Sequence, residues 1–146
     1  MIYLGSDHGG FELKEHVAEY LKEKGIEFED CGTYSSDSCD YPDIAENVAN
    51  KVVADKGSYG ILVCGTGIGI SIAANKVKGI RAACCSDTFS ARYTRKHNDA
   101  NILCFGGRVI GPGMAEELID AFLGSDFEGG RHAKRVAKIT EIENKE

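Results

Sequence analysis

Proline is scarce in this chain of 146 residues, which has 2 prolines against 18 glycines, 42% hydrophobic residues and 27% charged residues. This composition excludes disordered, collagen-like and low-complexity proteins, and the length is typical of one globular domain. An excess of basic side chains is also missing, because the formal net charge is -6. A molecule with this charge repels nucleic acid phosphates and anionic membranes, so we do not expect a general polyanion-binding protein.

Long apolar runs are absent as well. No run approaches the ~20 residues that a membrane-spanning helix needs. The apolar segment at residues 1–5 is too short for a signal peptide and lacks its basic flank. We therefore expect a cytoplasmic protein.

The six cysteines show none of the spacings that metal sites use. No Cys-x-x-Cys pair occurs, and several cysteines lie in apolar runs where small buried thiols are common. Cys84 and Cys85 are adjacent, so their side chains would point to opposite faces of a strand and could not bind one ion. The sequence predicts neither a metal site nor a disulfide framework.

Short apolar runs alternate with segments of helical periodicity along the whole chain, which indicates parallel strands joined by crossover helices. The strand candidates are residues 2–4, 26–28, 60–63, 80–84 and 102–105. Helical faces are predicted around residues 13–21, 44–53 and 114–122, with a last helix at about 131–143.

Five strands in such an alternation usually form an open, doubly wound sheet with helices on both faces. We expect a single α/β domain over residues 1–146, with a flavodoxin-like or Rossmann-like three-layer α/β/α architecture and the strand order 2-1-3-4-5. Strands 1 and 3 are then neighbours, and ligands bind beyond their carboxyl ends, where the winding direction changes. The candidate site therefore follows Leu4 and Val63.

Two glycine-rich segments follow these two strands. Residues 5–10 read Gly-Ser-Asp-His-Gly-Gly, and residues 64–69 read Cys-Gly-Thr-Gly-Ile-Gly. Glycines at alternate positions let backbone amides approach an anion at a helix N-terminus. The second segment matches neither the dinucleotide fingerprint nor a Walker loop, so it could also be only a tight strand-to-helix turn.

Three polar residues of these segments add possible chemistry. At Cys64, free amides and the helix dipole would favour a thiolate that can take up a proton, although a buried strand cysteine is the simpler interpretation. Asp7 and His8 would face the glycines of the other loop. Asp7 could equally be a helix cap.

Two further constellations lie later in the chain. His97 and Asn98 follow a basic stretch at the expected end of a helix, where a histidine is more often a partner of the helix dipole than a catalyst. Arg131 and Arg135 are one helical turn apart in residues 130–138, which contain no acid. This spacing suits one phosphate dianion, and the alternative is a solvated helix face.

Taken together, these motifs resemble one enzyme family in order along nearly the whole chain. The motifs are residues 5–10, 40–45, 64–69, 96–103 and 106–111 and the pair Arg131 and Arg135. The chain resembles the type B ribose-5-phosphate isomerases of the ribose/galactose-phosphate isomerase family. Some members carry glutamate where others carry the proton-transferring cysteine, and Cys64 is similar to the cysteine of the second group.

The resemblance implies an aldose–ketose isomerase of the pentose phosphate pathway. It would interconvert ribose 5-phosphate and ribulose 5-phosphate through an enediolate, without a metal or an organic cofactor. Cys64 would move the proton between C1 and C2, and His97 would open the furanose ring with Asp7 and Thr66 nearby. The enediolate would be stabilised by the backbone amides of Gly65, Thr66, Gly67 and Gly69.

The resemblance also implies a substrate-binding set and an assembly. Tyr41 and Asn98 would position the sugar. The phosphate ligands would be His8, Arg108, Arg131 and Arg135. Family members are dimers or tetramers whose sites draw residues from two subunits, so we expect a homo-oligomer, such as a homodimer, with the C-terminal helix packed on a partner subunit.

Two alternatives stay open at this point. The first is isomerisation of a six-carbon sugar phosphate, such as allose or galactose 6-phosphate. In the galactose-phosphate isomerases of this family two different subunits share the work, whereas this chain carries both the Cys64 segment and His97. The second is a sugar-phosphate-binding module without activity, which would leave Cys64, His97 and Asp7 without a role.

Overall fold

Five parallel strands form one sheet in the computed structural model, which describes residues 1–145. The strands are β1 (Ile2–Ser6), β2 (Phe28–Asp30), β3 (Tyr59–Cys64), β4 (Ala82–Cys84) and β5 (Ile102–Gly106). The helices of residues 1–145 are α1 (Phe11–Glu23), α2 (Tyr41–Ala54), α3 (Ile68–Ala74), α4 (Thr88–Asn98), α5 (Pro112–Leu123) and α6 (Arg131–Glu143), with a 3-10 turn at His8–Gly10. The predicted α/β class with one parallel sheet is confirmed.

The strand order is β2-β1-β3-β5-β4, so the predicted order 2-1-3-4-5 is wrong at its last two positions. Strand β5 pairs with β3, and β4 forms the edge beyond it. The reason is burial: all five residues of β5 are buried, whereas the three residues of β4 are exposed or half-buried. A long apolar strand gains most from a central position, and a short, partly solvated strand is tolerated at an edge.

The core consists of two layers, one on each face of the sheet. Ile61 and Val63 of β3 pack into the layer under α1, α4 and α5. Leu62 and Cys64 alternate with them and pack into the layer under α2 and α3. Because side chains alternate along a strand, this register places the Cys64 thiol on the α2–α3 face, at the carboxyl end of a central strand.

Helix α6 differs from the other helices in its burial. His132 is its one buried residue among residues 131–143, and the helix packs against α4. Ile139 and Ile142 lie on its surface, 47% and 67% exposed. Within residues 1–145, no helix has both the length and the apolar character needed to cross a membrane.

Candidate active site

The loops after β1, β3 and β5 come together at one edge of the sheet. Strand β1 lies beside β3, with Ser6 opposite Val63, so the two glycine-rich segments leave the sheet side by side. A Cβ on Gly9 would lie 3.2 Å from the amide nitrogen of Gly65, and one on Gly107 would lie 2.8 Å from the carbonyl oxygen of Gly9. Glycine at these positions allows backbone to approach backbone. The site is therefore lined mainly by peptide groups.

Cys64 ends β3 and is 5% exposed. The amide of Gly67 donates a hydrogen bond to its Sγ over 3.1 Å. Gly67 has φ 81°, and a Cβ there would come within 2.6 Å of the carbonyl carbon of Phe105. Only glycine fits this left-handed turn, which aims an N–H group at the sulfur. Such a donor suits a sulfur that carries negative charge during proton transfer.

Two backbone amides of the same loop are available to bind an anionic group. In the part of the chain that the structure describes, the backbone N–H groups of Gly65 and Thr66 donate no hydrogen bond. Thr66 is exposed, and its Oγ1 accepts from the amide of Ile68 over 3.2 Å. The amide of Gly67, predicted to stabilise an enediolate, is instead directed at Cys64 Sγ. The backbone amides that stay predicted donors for an oxyanion are those of Gly65, Thr66 and Gly69, the last in the first turn of α3.

Asp7 and His8 have defined partners. Asp7 is 6% exposed, and its Oδ1 caps the 3-10 turn by accepting from the Gly10 amide over 3.1 Å. His8 Nδ1 accepts from the amide of Cys39 over 3.2 Å. An accepting Nδ1 assigns the ring proton to Nε2, so the other side of the His8 ring is a hydrogen-bond donor.

Tyr41 and Arg108 flank the Cys64 loop. A Cβ on Gly69 would lie 2.8 Å from Cζ of Tyr41, and one on Gly65 would lie 3.1 Å from Nη1 of Arg108. Tyr41 begins α2, and Arg108 is exposed. The structure therefore brings a phenol and a guanidinium to the loop that the sequence singled out.

His97 lies in a second group, at the junction of α4 and α6. Its ring stacks on that of His132, with centroids 4.1 Å apart and planes inclined by 9°. Glu128 Oε1 lies 3.6 Å from His97 Nε2 and 3.4 Å from His132 Nε2. Burial, followed by electrostatic interactions with His97 and Arg131, lowers the pKa of His132. A neutral imidazole therefore stacks on His97.

Asn98, Arg131 and Arg135 belong to this second group. Asn98 is exposed, and its carbonyl accepts from Arg81 Nε over 3.0 Å. Arg131 and Arg135 project from the exposed surface of α6 on either side of His132 in sequence. Within residues 1–145, no hydrogen bond or ion pair joins the second group to the Cys64 loop.

Other cysteines of the chain have raised thiol pKa values. Burial raises the pKa of Cys104 well above its usual value, and burial raises the pKa of Cys85 to about 12. These thiols stay neutral near neutral pH. Cys84 is exposed and its Sγ contacts the carbonyl oxygen of Thr66 at 3.7 Å. It lies beside a cavity of about 360 Å³ that His97 also lines.

Sequence reasoning missed Glu128, His132 and Cys84. The sequence pattern around each of these residues is weak. Each one acquires a possible role only through a contact with a residue that is distant in the chain. His132 does stand between Arg131 and Arg135 in the acid-free segment, which could have marked it. Glu128 lies in a loop and has no motif around it.

Comparison with known proteins identifies the family of this chain. The profile described as ribose/galactose isomerase matches residues 2–139. The chain belongs to this family. Ribose-5-phosphate isomerase B of Escherichia coli is 51% identical over 144 residues, which are 99% of this chain and 97% of that protein.

Solved structures of this family have the same fold. The ribose-5-phosphate isomerase B of Clostridium thermocellum is 54% identical with a TM-score of 0.95, over 97% of this chain and 96% of that one. The enzyme of Mycoplasma genitalium, solved with bound ribulose-5-phosphate, is 41% identical with a TM-score of 0.94, over 99% of this chain and 97% of that one.

Proposed function

We propose that this chain interconverts ribose 5-phosphate and ribulose 5-phosphate by moving a proton between C1 and C2. The observation that carries the proposal is the buried Cys64 thiol, which receives the Gly67 amide and adjoins the N–H groups of Gly65 and Thr66. The names of the relatives in Escherichia coli and Clostridium thermocellum support this substrate. The chain is then an isomerase and not a passive binding module.

The proton transfer needs one base and one stabiliser of negative charge. The Cys64 thiolate removes the proton from C2 of the open-chain aldose, and the electrons form the enediolate. The amides of Gly65 and Thr66 stabilise the developing oxyanion because they are fixed before the reaction begins. Cys64 then returns the abstracted proton to C1 while the proton of the O2 hydroxyl passes to O1, which gives the ketose.

Ring opening must precede this step, because the aldose is mostly a closed furanose. His97 supplies an imidazole, a group whose two ring nitrogens can donate and accept a proton, which suits transfer between O1 and the ring oxygen. In one subunit, within residues 1–145, no hydrogen bond or ion pair joins His97 to the Cys64 loop, and we infer a homo-oligomer in which His97 and Asn98 of one subunit complete the site of another. The exposed helix α6 supports this arrangement, since its apolar residues need a partner surface.

The phosphate is bound by donors from both groups. His8 offers its Nε2 proton, and Arg108 stands beside the Cys64 loop. Arg131 and Arg135 come with His97 on the other subunit. Tyr41 positions the sugar above Gly69. Ribulose-5-phosphate bound to the Mycoplasma genitalium enzyme supports a phosphorylated pentose in this family.

We further infer one domain over residues 1–146, with α6 packed on a partner subunit, and a place in cytoplasmic sugar-phosphate metabolism. Glu146, the last residue of that range, lies outside the described residues. A six-carbon sugar phosphate remains the second substrate class to test, because the family profile covers both pentose and galactose isomerases.

The test is isomerisation in D₂O with metal-free protein. Ribose 5-phosphate should yield ribulose 5-phosphate, with solvent deuterium at C1 of the ketose in those turnovers in which the Cys64 thiol exchanges with solvent before it returns the proton. Allose 6-phosphate and galactose 6-phosphate serve as comparison substrates under the same conditions. Faster turnover of either hexose phosphate, or no turnover of ribose 5-phosphate, would contradict the proposal.

A further inference from the structure

Three side chains able to bind a metal ion meet at the junction of α4 and α6. They are His97, Glu128 and His132, whose ligand atoms all lie within 4.8 Å of one another. We propose that they form a site for a divalent transition-metal ion, with Zn²⁺ as the best fit, and that the bound ion inhibits ring opening. The binding site rests on geometry alone, whereas the inhibition rests on the proposed role of His97.

The spacing of the ligand atoms fits a tetrahedral ion. At metal–ligand bonds of about 2.0–2.2 Å, neighbouring ligand atoms in a tetrahedron are roughly 3.3–3.6 Å apart. Glu128 Oε1 already lies 3.6 Å from His97 Nε2 and 3.4 Å from His132 Nε2. Two of the three separations therefore match those of a tetrahedral ion before it binds, and a water molecule would take the fourth position.

The chemistry of the ligands selects the class of ion. Two imidazoles and one carboxylate suit Zn²⁺ and Co²⁺, which accept nitrogen and oxygen ligands. Mg²⁺ and Ca²⁺ prefer a shell made wholly of oxygen. The spacing of the cysteines predicted no metal site. The ligands of the proposed site are instead two histidines and a glutamate, which come from the end of α4, a loop and α6.

One ring has to tilt when the ion binds. The planes of the His97 and His132 rings are inclined by 9°. The nitrogen lone pairs, which lie in the ring planes, are therefore in two nearly parallel planes and do not converge on one point. The His132 side chain is 8% exposed and is held in place, while that of His97 is 37% exposed at the last turn of α4. We therefore expect His97 to move toward His132 and Glu128. That movement withdraws its Nε2 from substrate.

The surroundings favour a reversible site over a permanent one. The amide of Glu128 donates to the carbonyl of Lys96 over 3.0 Å, which fixes the loop against α4 before any ion arrives. Arg131 and Arg135 repel a cation near His132. These opposing effects should give a moderate affinity for Zn²⁺, so that the occupancy of the site follows the free Zn²⁺ concentration.

The binding test uses the full-length protein stripped of metal. Titration with Zn²⁺ in a calorimeter should show one ion per chain, and Co²⁺ should give the visible absorption of a tetrahedral ion without the strong near-ultraviolet absorption of cobalt–thiolate bonds. His132→Ala and Glu128→Gln should each weaken binding by about tenfold or more. Equal affinity in wild type and these variants would overturn the site.

His16→Ala is the matched control. His16 Nε2 lies 2.7 Å from Glu116 Oε2, with side-chain exposures of 39% and 36%, so it forms a histidine–carboxylate pair outside the three-residue cluster. Zn²⁺ affinity should be unchanged in this variant. A loss as large as that of His132→Ala would show that the ion binds without regard to the cluster, and would overturn the proposal.

Activity then tests the inhibition separately. Zn²⁺ should slow conversion of ribose 5-phosphate more than conversion of ribulose 5-phosphate, which has no ring to open, and His132→Ala should show less fractional inhibition relative to its own metal-free rate. Binding at the cluster without inhibition would overturn the regulatory part only. Loss of isomerisation in metal-free wild type would instead contradict the proposed function.

Discussion

Single residues set the chemistry of the site, and the sulfur of Cys64 accepts a backbone hydrogen bond. Cys64 ends a central strand with the Gly67 amide on its Sγ, whereas burial raises the pKa of Cys104 and of Cys85 until both stay neutral. The hydrogen bond depends on the left-handed turn at Gly67, so the position of the thiol is fixed by backbone geometry.

We predict that Cys64→Ala and Cys64→Ser abolish isomerisation and leave the fold and phosphate binding nearly intact. The thiol acts only on the proton, and its removal leaves a small gap at the end of β3. The measurements are turnover of ribose 5-phosphate by purified protein, circular dichroism, and calorimetric binding of a phosphorylated sugar. Retention of most of the wild-type turnover by Cys64→Ala would rule out this role.

His97 should separate two steps that Cys64 does not separate. We predict that His97→Asn suppresses turnover of the cyclic aldose phosphate far more than turnover of ribulose 5-phosphate, because the ketose has no furanose ring to open. Initial rates in the two directions provide the measurement. An equal loss in both directions would make His97 a general structural or binding residue.

Arg131 and Arg135 should recognise the phosphate. Replacing either residue by Ala should raise KM for ribose 5-phosphate and lower kcat/KM by about tenfold or more, since a charge-assisted hydrogen bond is lost. Lysine should restore only part of the loss, because an ammonium lacks the planar fork of guanidinium.

Weak activity on unphosphorylated ribose is the control for both arginines. It should change little in these variants, as there is no phosphate contact to lose. Equal losses with phosphorylated and free sugar would show that the arginines hold α6 or a subunit contact.

Between elements, helix α1 and helix α5 are joined by a tyrosine–carboxylate hydrogen bond in addition to the His16–Glu116 pair. Tyr20 Oη donates to Asp120 Oδ1 over 2.6 Å, and this bond, with burial, raises the pKa of Tyr20 from 10.0 to about 12. The phenol is 7% exposed, so the bond is largely shielded from water. It links two helices that cover the same face of the sheet.

We predict that Tyr20→Phe lowers the free energy of unfolding by about 1 kcal/mol at pH 8. Because the folded-state pKa is raised, the stabilisation is fully present below the unfolded value of 10.0 and is lost as pH rises through about 12. The difference between wild type and variant should therefore shrink across that window in urea unfolding experiments. A difference that is constant with pH would contradict this role.

Elements also show what could be predicted from the sequence. Apolar runs located β1, β3 and β5, because burial on both faces of a parallel sheet leaves a continuous apolar signature. The strand expected at residues 26–28 overlaps the observed β2 only at Phe28, since β2 is half-exposed and carries two acidic residues. The order of β4 and β5 was wrong, since the order depends on which strand is more completely buried after folding. The expected strand at residues 80–84 shortens to Ala82–Cys84.

The candidate site was predictable to a similar degree. Cys64 and the glycines have local signals, because a loop at a strand end must use glycine where backbone approaches backbone. The cluster of His97, Glu128 and His132 has none, as its members are joined only by the packing of α6 on α4. Periodicity identifies a helix but not the neighbour it packs against.

In the whole molecule, the predicted site residues of one chain form two groups. Asp7, Cys64 and Thr66 line the loops at the end of the sheet, while His97 and Arg131 surround the junction of α4 and α6. Helix α6 is exposed along most of its length. A symmetric dimer would bring the second group of one subunit to the first group of the other, and each contact would occur twice.

This arrangement predicts that two inactive variants restore each other. Cys64→Ala and His97→Asn chains, mixed so that subunits exchange, form hybrid dimers in which one of the two sites has both wild-type residues. With random pairing, half of the dimers are hybrids with one intact site each, so activity should recover to about one quarter of wild type. The measurement is ribose 5-phosphate turnover after co-refolding, with each variant refolded alone as the control. If Cys64 and His97 of the same chain formed a site, hybrids would contain no intact site, and the mixture would stay as inactive as its parents.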